Sequence, residues 1–180
     1  MTRCKACGEG TMTAALLPSY EMDLGGLTVR LVNTVIRDAC DRCDEATIEV
    51  PDLEGLAKAA ALARALTPFR LAGKEIRFLR RALDMTGREF AEAMELTPET
   101  VSRWETGLRG VGGDSEKLLR HNVCALLHRQ VNAIAYEPAV ITRMKILDVA
   151  DGFEFPPLVF RRVVVKGTYE AVEAWDRMAA

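Results

Sequence analysis

Aromatic residues and histidines are scarce in this chain of 180 residues. Aromatic side chains make up 6% of the sequence, and the two histidines are His121 and His128. These two lie seven positions apart, so they would share one face of a helix, and we expect them to be surface or interhelical residues. The chain contains no Ser/His/Asp set, paired-carboxylate motif or glycine-rich phosphate loop. A catalytic role has no support in these residues, and we predict a binding protein rather than an enzyme.

Long hydrophobic runs are also missing. No apolar stretch approaches the roughly 20 residues that a membrane-spanning helix needs. The first residues, Met1-Thr2-Arg3-Cys4, lack the apolar core of a secretory signal. We therefore expect a cytoplasmic protein without membrane contact, in which reduced thiols are available to a metal.

The rest of the composition is that of an ordinary globular protein, with 49% hydrophobic and 28% charged residues. A chain of this length can form one or two domains with a real core. The net charge of −2 is unevenly distributed. Residues 1–50 carry 5 basic and 8 acidic side chains, whereas residues 69–130 carry 11 basic and 9 acidic ones. The net charges of −3 and +2 favour an acidic module for a protein partner and a basic module for nucleic acid.

Four of the five cysteines form two Cys-x-x-Cys pairs, Cys4/Cys7 and Cys40/Cys43. Two residues between cysteines let both thiolates face one tetrahedral ion, so two pairs complete a closed four-cysteine site for Zn²⁺. A closed site leaves no coordination position for water or substrate, which indicates a structural metal. The 32 residues between the pairs exceed the spacer of about 15–20 in the commonest pattern, so we expect a small sheet to bring the pairs together.

The alternative interpretation is two unrelated redox or buried cysteine pairs, because thioredoxin-like motifs use the same spacing. Two copies ahead of any βαβ pattern favour zinc. Gly8 and Gly10 favour it too, since glycine lets backbone N–H groups turn toward the sulfurs. The second pair differs, because Asp44 and Glu45 follow it. The fifth cysteine, Cys124, lies in an apolar helical stretch and is interpreted as a packing residue.

The first half of the chain is predicted to contain strands and then a helix. Residues 11–50 have the pattern of short strands, with a hairpin turn at Gly25-Gly26. Pro51 ends this module, and Asp52 can cap a helix over residues 53–66. We interpret this alanine-rich helix as a connector, with a dimer contact as the alternative.

Residues 69–129 are predicted to form short helices separated by tight turns. Thr86 and Glu89 form a capping box that opens one helix. Thr97-Pro98 marks the start of the next helix. Two short helices joined by three residues have helix-turn-helix proportions, in which the second helix enters the DNA major groove.

The outward face of this second helix carries the candidate DNA contacts, while Val101 and Trp104 are expected to face inward. Arg103 is predicted to read a guanine, because its planar fork matches O6 and N7 together. The other candidates are Thr97, Glu99, Thr100, Ser102 and Thr106 on the same helix, and Arg88, Arg109 and Lys117 as flanking phosphate contacts.

Two glutamates depart from a simple DNA-binding pattern. Glu99 places a carboxylate near DNA, which is tolerable if it accepts from cytosine N4 or turns aside. Glu95 stands in a turn that usually takes glycine in a left-handed conformation, at a cost of roughly 1 kcal/mol. An ordinary all-α domain with a well-capped helix pair is the alternative to a helix-turn-helix.

The last part of the chain changes character. Residues 140–149 mix strand and helix features, and residues 158–165 are predicted to form a strand rich in β-branched residues. Thr168 is expected to cap a final helix through Met178. The expected fold class is α+β. Its four parts are a β-rich zinc-binding domain (1–50), a linker helix (51–68), an all-α helix-turn-helix domain (69–129) and a mixed α/β extension of unknown role (130–180).

The order of these parts resembles the MqsA-type antitoxins, which join an N-terminal YgiT-type zinc finger to a C-terminal helix-turn-helix of the Xre/Cro class. The resemblance covers about residues 1–128. It rests on the two cysteine pairs, the connecting helix, and the runs Glu75-Ile76-Arg77-x-x-Arg80-Arg81-x-Leu83 and Val101-Ser102-Arg103-Trp104-Glu105-x-Gly107.

The resemblance implies a dimeric repressor that binds double-stranded DNA at a palindromic operator and whose zinc module neutralises a cognate RNase toxin. By the same resemblance the four cysteines match the zinc ligands, and Arg103 matches a base-reading arginine. Glu99 stands where the family has a DNA-contacting asparagine, which puts the operator sequence in doubt. Residues after 130 have no counterpart in short family members. The alternative is therefore a stand-alone zinc-containing regulator without a toxin partner.

Overall fold

The structure of the protein, a computed structural model, describes residues 2–150, 153, 155–166 and 170–178. It confirms the α+β fold class, with a β-rich N-terminal region, a run of helices and C-terminal strands. No helix in the described part of the chain has the length and apolar character to cross a membrane. The elements are β1 (Thr2–Arg3), β2 (Thr11–Asp23), β3 (Thr28–Cys40), β4 (Ala46–Glu49), α1 (Leu53–Ala65), α2 (Gly73–Ala82), α3 (Gly87–Ala93), α4 (Pro98–Glu105), α5 (Gly113–Leu127), α6 (Pro138–Arg143), β5 (Leu158–Lys166) and β6 (Ala171–Arg177).

A long hairpin of β2 and β3 forms the N-terminal part of the sheet, and its register runs from Met12 opposite Cys40 to Asp23 opposite Thr28. The predicted glycine turn is confirmed, since Gly25 and Gly26 both have positive φ angles. Their backbone N–H groups donate to the Asp23 carboxylate at 2.7 and 2.9 Å. The hairpin therefore closes at the end opposite to Cys40.

Strand β3 is the centre of a branched sheet. Its far edge pairs with β4 near the cysteines, where Ile36–Ala39 face Ala46–Glu49. Near the hairpin turn the same edge pairs in parallel with β5, where Val29–Leu31 face Leu158–Phe160. Strand β6 continues the sheet beyond β5. The C-terminal strands therefore belong to the same sheet as the N-terminal hairpin.

The predicted strand over 158–165 is confirmed, but the predicted helix ending at Met178 is wrong. Residues Ala171–Arg177 form β6, and Thr168 lies outside the described residues. The alanines and glutamates of this segment favour a helix locally. Pairing with β5 nevertheless buries Trp175 to 2% exposure, and its indole N–H donates to the Asp52 carbonyl at 3.0 Å. Tertiary pairing outweighs local propensity in this segment.

Helix α1 forms where it was predicted, and the Asp52 side chain caps it by accepting from the Gly55 N–H at 3.0 Å. Its setting is not that of an exposed connector. Ala59–Ala63 and Ala65 are almost fully buried, and the helix packs against α2, α5 and β6. Small apolar side chains on every side of a helix let it lie in an interior. Helix α1 therefore joins the sheet to the other helices through one shared core.

Two buried ion pairs hold the loop of residues 67–72 between α1 and α2. Arg64 binds Glu75 at 2.5 Å, and Arg120 binds Glu116 at 2.8 Å. The guanidinium groups donate to several backbone carbonyls of the loop, and the two carboxylates accept N–H groups from its last residues. Each buried charge is thus paired and also hydrogen-bonded, as burial requires. The network fixes the start of α2.

Candidate functional site

The four predicted metal ligands come together at the end of the sheet farthest from the hairpin turn. Cys4 and Cys7 lie between β1 and β2, while Cys40 ends β3 and Cys43 lies in the turn to β4. All four Sγ atoms lie within 4.8 Å of one another. The Sγ–Sγ distance is 3.8 Å for Cys4–Cys43 and also for Cys7–Cys40. A tetrahedral ion with Zn–S bonds of about 2.3 Å would place its sulfurs about 3.8 Å apart, so the cluster fits such an ion.

Backbone N–H groups point at the sulfurs, as the glycines after the first pair predicted. The Gly10 N–H donates to Cys7 Sγ at 3.3 Å, and the Arg42 N–H donates to Cys40 Sγ at 3.4 Å. Hydrogen bonds from the backbone of Glu9 and Gly10 lower the pKa of Cys7 to about 6. A Cβ atom at Gly10 would lie 2.3 Å from Cys40 Sγ, so glycine is required there. The local backbone therefore stabilises thiolates.

The cluster as a whole opposes full ionisation of its own thiols. The backbone hydrogen bond from Glu45 lowers the pKa of Cys43, but hydrogen bonds with the other cysteines, led by Cys40, raise it to about 12. Four thiolates at this spacing repel one another strongly. A cation among the sulfurs would remove this repulsion. The four sulfurs are therefore suited to hold a metal ion.

Helices α3 and α4 and the turn of residues 94–97 form the second candidate site. The predicted capping box is confirmed, because the Thr86 N–H donates to Glu89 at 2.7 Å and the Glu89 N–H donates to Thr86 Oγ1 at 3.3 Å. The backbone hydrogen bond from Thr86 lowers the pKa of Glu89. In the turn, Glu95 adopts the left-handed conformation with φ of 54°, as expected at this position. The two helices therefore meet through the turn geometry that a helix-turn-helix uses.

The inward face of α4 is fixed by buried side chains and by an ion pair. Val101 and Trp104 are buried, as predicted. The Glu105 carboxylate accepts two hydrogen bonds from Arg80, at 2.6 and 3.1 Å. A Cβ atom at Gly73 would lie 2.6 Å from the Trp104 carbonyl oxygen, so α2 begins directly against the end of α4. These contacts hold α4 in place, so its outward face is a rigid surface.

The pairing of Arg80 with Glu105 behind α4 was not predicted from the sequence. Glu105 and Arg80 stand in the runs that carry the family resemblance, but nothing in their spacing showed that they pair. The pairing of Arg64 with Glu75 was missed for the same reason, whereas Glu116 and Arg120 have the i, i+4 spacing that favours a pair on one helix. Their charge within otherwise apolar helical faces was the available signal, because a charge placed on a buried face needs a partner.

The polar side chains on the outward face of α4 fall into two groups, those with hydrogen bonds inside the helix and those that are free to meet a ligand. The hydroxyl groups of the threonines are occupied within the helix: Thr97 accepts from the Thr100 N–H at 3.2 Å, and Thr106 donates to the Ser102 carbonyl at 2.8 Å. Glu99, Ser102 and Arg103 are exposed and lie around one shallow concavity that Pro98 also lines. These three side chains are the ones that α4 offers to a ligand.

The flanking candidates have mixed environments. Arg88 and Arg109 are exposed. Lys117 is half-buried, and its ammonium group donates to the Thr142 carbonyl at 3.4 Å, which turns it toward the C-terminal segment. A phosphate contact remains a prediction for all three.

The two histidines and the fifth cysteine have structural surroundings. His121 lies between the Tyr136 hydroxyl at 3.2 Å and the Thr142 hydroxyl at 3.3 Å, so it connects α5 to the following segment. His128 contacts the Cys124 carbonyl at 3.2 Å. Cys124 is fully buried, and desolvation raises the pKa of its thiol to about 12. The structure confirms Cys124 as a packing residue and His121 as an interhelical one, whereas His128 lies half-buried against its own helix.

Comparison with known families gives one match. Residues 76–114, from α2 to the start of α5, match a helix-turn-helix family (HTH_3). No curated protein matches the chain. The match confirms the predicted helix-turn-helix, the structural class of DNA-binding transcription regulators. Together with the four-cysteine cluster, it supports the two parts on which the resemblance to MqsA-type antitoxins rests.

Proposed function

We propose that this protein is a sequence-specific transcriptional repressor that binds a palindromic operator as a homodimer, with α4 in the major groove. The observation that carries the proposal is the exposed face of α4, where Glu99, Ser102 and Arg103 project from a helix fixed by buried side chains and ion pairs. Rigid placement matters because base readout depends on side chains meeting base edges with hydrogen-bond geometry. A two-fold repeat in the DNA would match a two-fold protein dimer.

We further propose that the four-cysteine cluster holds one structural Zn²⁺ per chain. Four sulfur ligands exclude Ca²⁺ and Mg²⁺, which require oxygen ligands. Tetrahedral sulfur sites take zinc or iron. The closed ligand set supports a folding role, because it leaves no position for a substrate. Elemental analysis of freshly purified protein should find one zinc and no iron per chain. A metal-free, folded protein would overturn this assignment.

The main test is footprinting on the DNA upstream of the protein's own gene. We expect protection of an inverted repeat whose half-sites lie one helical turn apart, or a multiple of it. Such a footprint would support both autoregulation and two-fold binding. Binding that is equal on specific and random duplexes would overturn the repressor proposal.

Arg103→Ala tests the proposed base contact. Loss of a bidentate contact with guanine should cost about 1–3 kcal/mol and relax the preference at one base position. Arg37→Ala is the matched control, because Arg37 is also an exposed arginine but lies on β3 in the sheet. Equal loss on specific and random duplexes would instead make Arg103 a phosphate contact. Arg88→Ala and Arg109→Ala should weaken binding to all sequences similarly and reduce its salt dependence.

The finer proposal is that the protein is the antitoxin of a type II toxin–antitoxin pair and neutralises its toxin through the zinc-binding part. Its support is the domain order together with the net charge of −3 on residues 1–50, which suits a basic partner. Affinity capture should retain a small basic protein encoded beside this one. A gene neighbourhood without such a protein would remove the antitoxin part and leave the repressor part intact.

A stand-alone regulator is the second candidate, and the C-terminal strands favour it. Strand β5 occupies the β3 edge at Val29–Leu31, and β6 covers α1. Residues beyond 130 therefore complete the core of this chain. This candidate predicts operator binding with no captured toxin, so the same two experiments distinguish it from the antitoxin.

A further inference from the structure

The position of Glu99 relative to Arg103 suggests more than a single base contact. The two side chains are four residues apart on α4, so they lie on one face about 6 Å apart along the helix axis. Stacked base pairs in DNA are about 3.4 Å apart. A helix lying along the groove would therefore bring Glu99 and Arg103 to base pairs one or two steps apart.

Among the residues that the structure describes, Glu99 has no partner that would turn it away from a ligand. Within the described residues, neither Glu99 nor Arg103 forms an ion pair, although the i, i+4 spacing would allow one between them. Both are exposed and border the same concavity. A carboxylate placed against DNA without a donor is unfavourable, because the phosphates carry the same charge. Glu99 at the groove therefore needs a hydrogen-bond donor on a base.

The major groove restricts which base can provide that donor. Guanine and thymine present oxygen or nitrogen acceptors there, and adenine places its amino group beside the N7 acceptor. Cytosine presents the N4 amino group, which a carboxylate can accept. A carboxylate therefore favours cytosine and is repelled by the thymine O4 atom at the same position.

We propose that Glu99 and Arg103 form a two-residue reading unit, in which Glu99 selects a cytosine and Arg103 selects a guanine one or two base pairs away in each half-site. This inference rests on the proposed function, because it requires α4 in the major groove. Ser102 between them adds little discrimination, since a hydroxyl group can donate or accept. Glu99 is thus a specificity-determining residue that acts by attraction to one base and by repulsion of the others.

The first experiment selects binding sites from randomised duplexes with the full-length protein and three variants. The wild type should enrich a cytosine one or two base pairs from the guanine that is lost in the Arg103→Ala selection. Glu99→Gln should change that cytosine to adenine, because glutamine binds adenine N6 and N7 together. Glu92→Gln is the matched control, since Glu92 is an exposed glutamate on α3, and its motif should equal the wild-type motif.

The second experiment measures affinity for the selected site and for a site with that cytosine replaced by thymine. The wild type should lose about tenfold or more in affinity on this replacement. Glu99→Ala should lose less than about twofold, because its side chain no longer meets the exchanged group. Trp104 fluorescence provides a check that the variants keep the fold of the helical region.

The outcomes separate the inference from the function on which it rests. A wild-type motif that Glu99→Gln leaves unchanged would overturn the reading unit while DNA binding stands. A Glu99→Ala protein that binds all duplexes more tightly, with an unchanged motif, would show that Glu99 only repels phosphate, and would also overturn it. A wild type that enriches no motif would overturn the proposed function itself.

Discussion

The two ends of the sheet are stabilised in different ways. At the cysteine end, which comprises residues 2–17 and 36–49, Cys4 and Gly10 are the buried residues, and β4 is exposed along its whole length. At the other end, β3 buries Val29 and Leu31 in a core shared with α1, β5 and the other helices. A region with so little buried apolar surface cannot offset the conformational entropy lost on folding. We therefore expect the cysteine end to depend on a bound metal ion. The helical body, which comprises α1–α6 with β5 and β6, depends on packing.

Both regions contain polar groups that would destabilise the fold without partners. In the cysteine end these are the cysteine thiolates, for which a metal ion would be the partner. In the helical body they are Arg64, Glu75, Glu116 and Arg120, which satisfy one another and the loop of residues 67–72. Burying the charges of the helical body is tolerable because each of them meets an opposite charge. Chelation would remove a metal ion held by the cysteines, whereas the arginines are part of the chain. The two regions should therefore respond differently to a chelator.

Metal removal should give the largest difference between the regions. Chelation, or the Cys40→Ser substitution, removes a binding free energy on the order of 10 kcal/mol from the cysteine end. Hydrogen exchange should then become fast in residues 2–17 and 36–49. Fluorescence should stay native, because Trp104 on α4 and Trp175 on β6 are both buried in the shared core, outside the cysteine end. Cys124→Ala is the control, as it removes a cysteine outside the cluster and should leave metal content unchanged. One cooperative loss of both signals would contradict the division.

The reverse experiment acts on the buried ion network. Arg120→Met leaves the buried Glu116 carboxylate with only Arg70 as a cation, at 3.3 Å, which should destabilise the body by up to about 3–5 kcal/mol. Urea unfolding followed by tryptophan fluorescence measures this loss. Arg161→Met removes an exposed arginine paired with Asp176, and it should cost less than about 1 kcal/mol. Equal effects of the two substitutions would show that burial does not distinguish these ion pairs.

A smaller effect, of opposite sign, is expected in the turn before α4. Glu95→Gly relieves the left-handed conformation of a residue with a side chain and should stabilise the protein by about 1 kcal/mol. Glu92→Gly makes the same change inside α3, where glycine should instead destabilise by about 1 kcal/mol. The midpoints of urea unfolding compare the two variants. Destabilisation by both would mean that the Glu95 side chain contributes more than its backbone strain costs.

The smallest expected effect depends on pH. The pKa of Glu89 is lowered in the folded protein by its hydrogen bond from the Thr86 backbone. Its stabilising contribution is therefore present above the unfolded pKa of about 4.3 and is lost as the pH falls through the lower, folded value. Glu89→Gln should remove this acid dependence while keeping an acceptor for the cap. Melting temperatures of both proteins between neutral and acid pH test it. Parallel curves would show that the capping box adds no pH-dependent stability.

Local signals in the sequence predicted several features of the two candidate sites. The glycine turn at 25–26, the capping box and the Thr97-Pro98 start each depend on interactions within a few residues, and the structure has each of them where expected. The cysteine spacing identified each Cys-x-x-Cys pair, and the β2–β3 hairpin brings the two pairs together. The inward direction of Val101 and Trp104 also follows from local helical periodicity. Structural features that depend on interactions within one turn or one helix could thus be identified from the sequence alone.

Long-range features were predicted poorly. The segment ending at Met178 has helical propensity, yet pairing with β5 makes it a strand. Helix α1 was interpreted as a connector, and the burial of its alanines against α2, α5 and β6 was not predicted. The partners of Arg64 and Arg80 lie on other elements, and no spacing rule connects such residues, because their proximity arises when separate elements pack. Glu116 and Arg120 have the i, i+4 spacing of a helix, so their pairing could have been predicted from the sequence.

The sequence by itself determined the two Cys-x-x-Cys pairs, the capped starts of α1, α3 and α4 and the outward residues of α4, because each depends on groups that are neighbours along the chain. Only the tertiary structure decided that the C-terminal strands complete the N-terminal sheet, that α1 lies in the interior, and which charges pair. These outcomes depend on burial. The free energy of burying a surface depends on what covers it, and the covering residues lie more than a hundred positions away for Asp52 and Trp175.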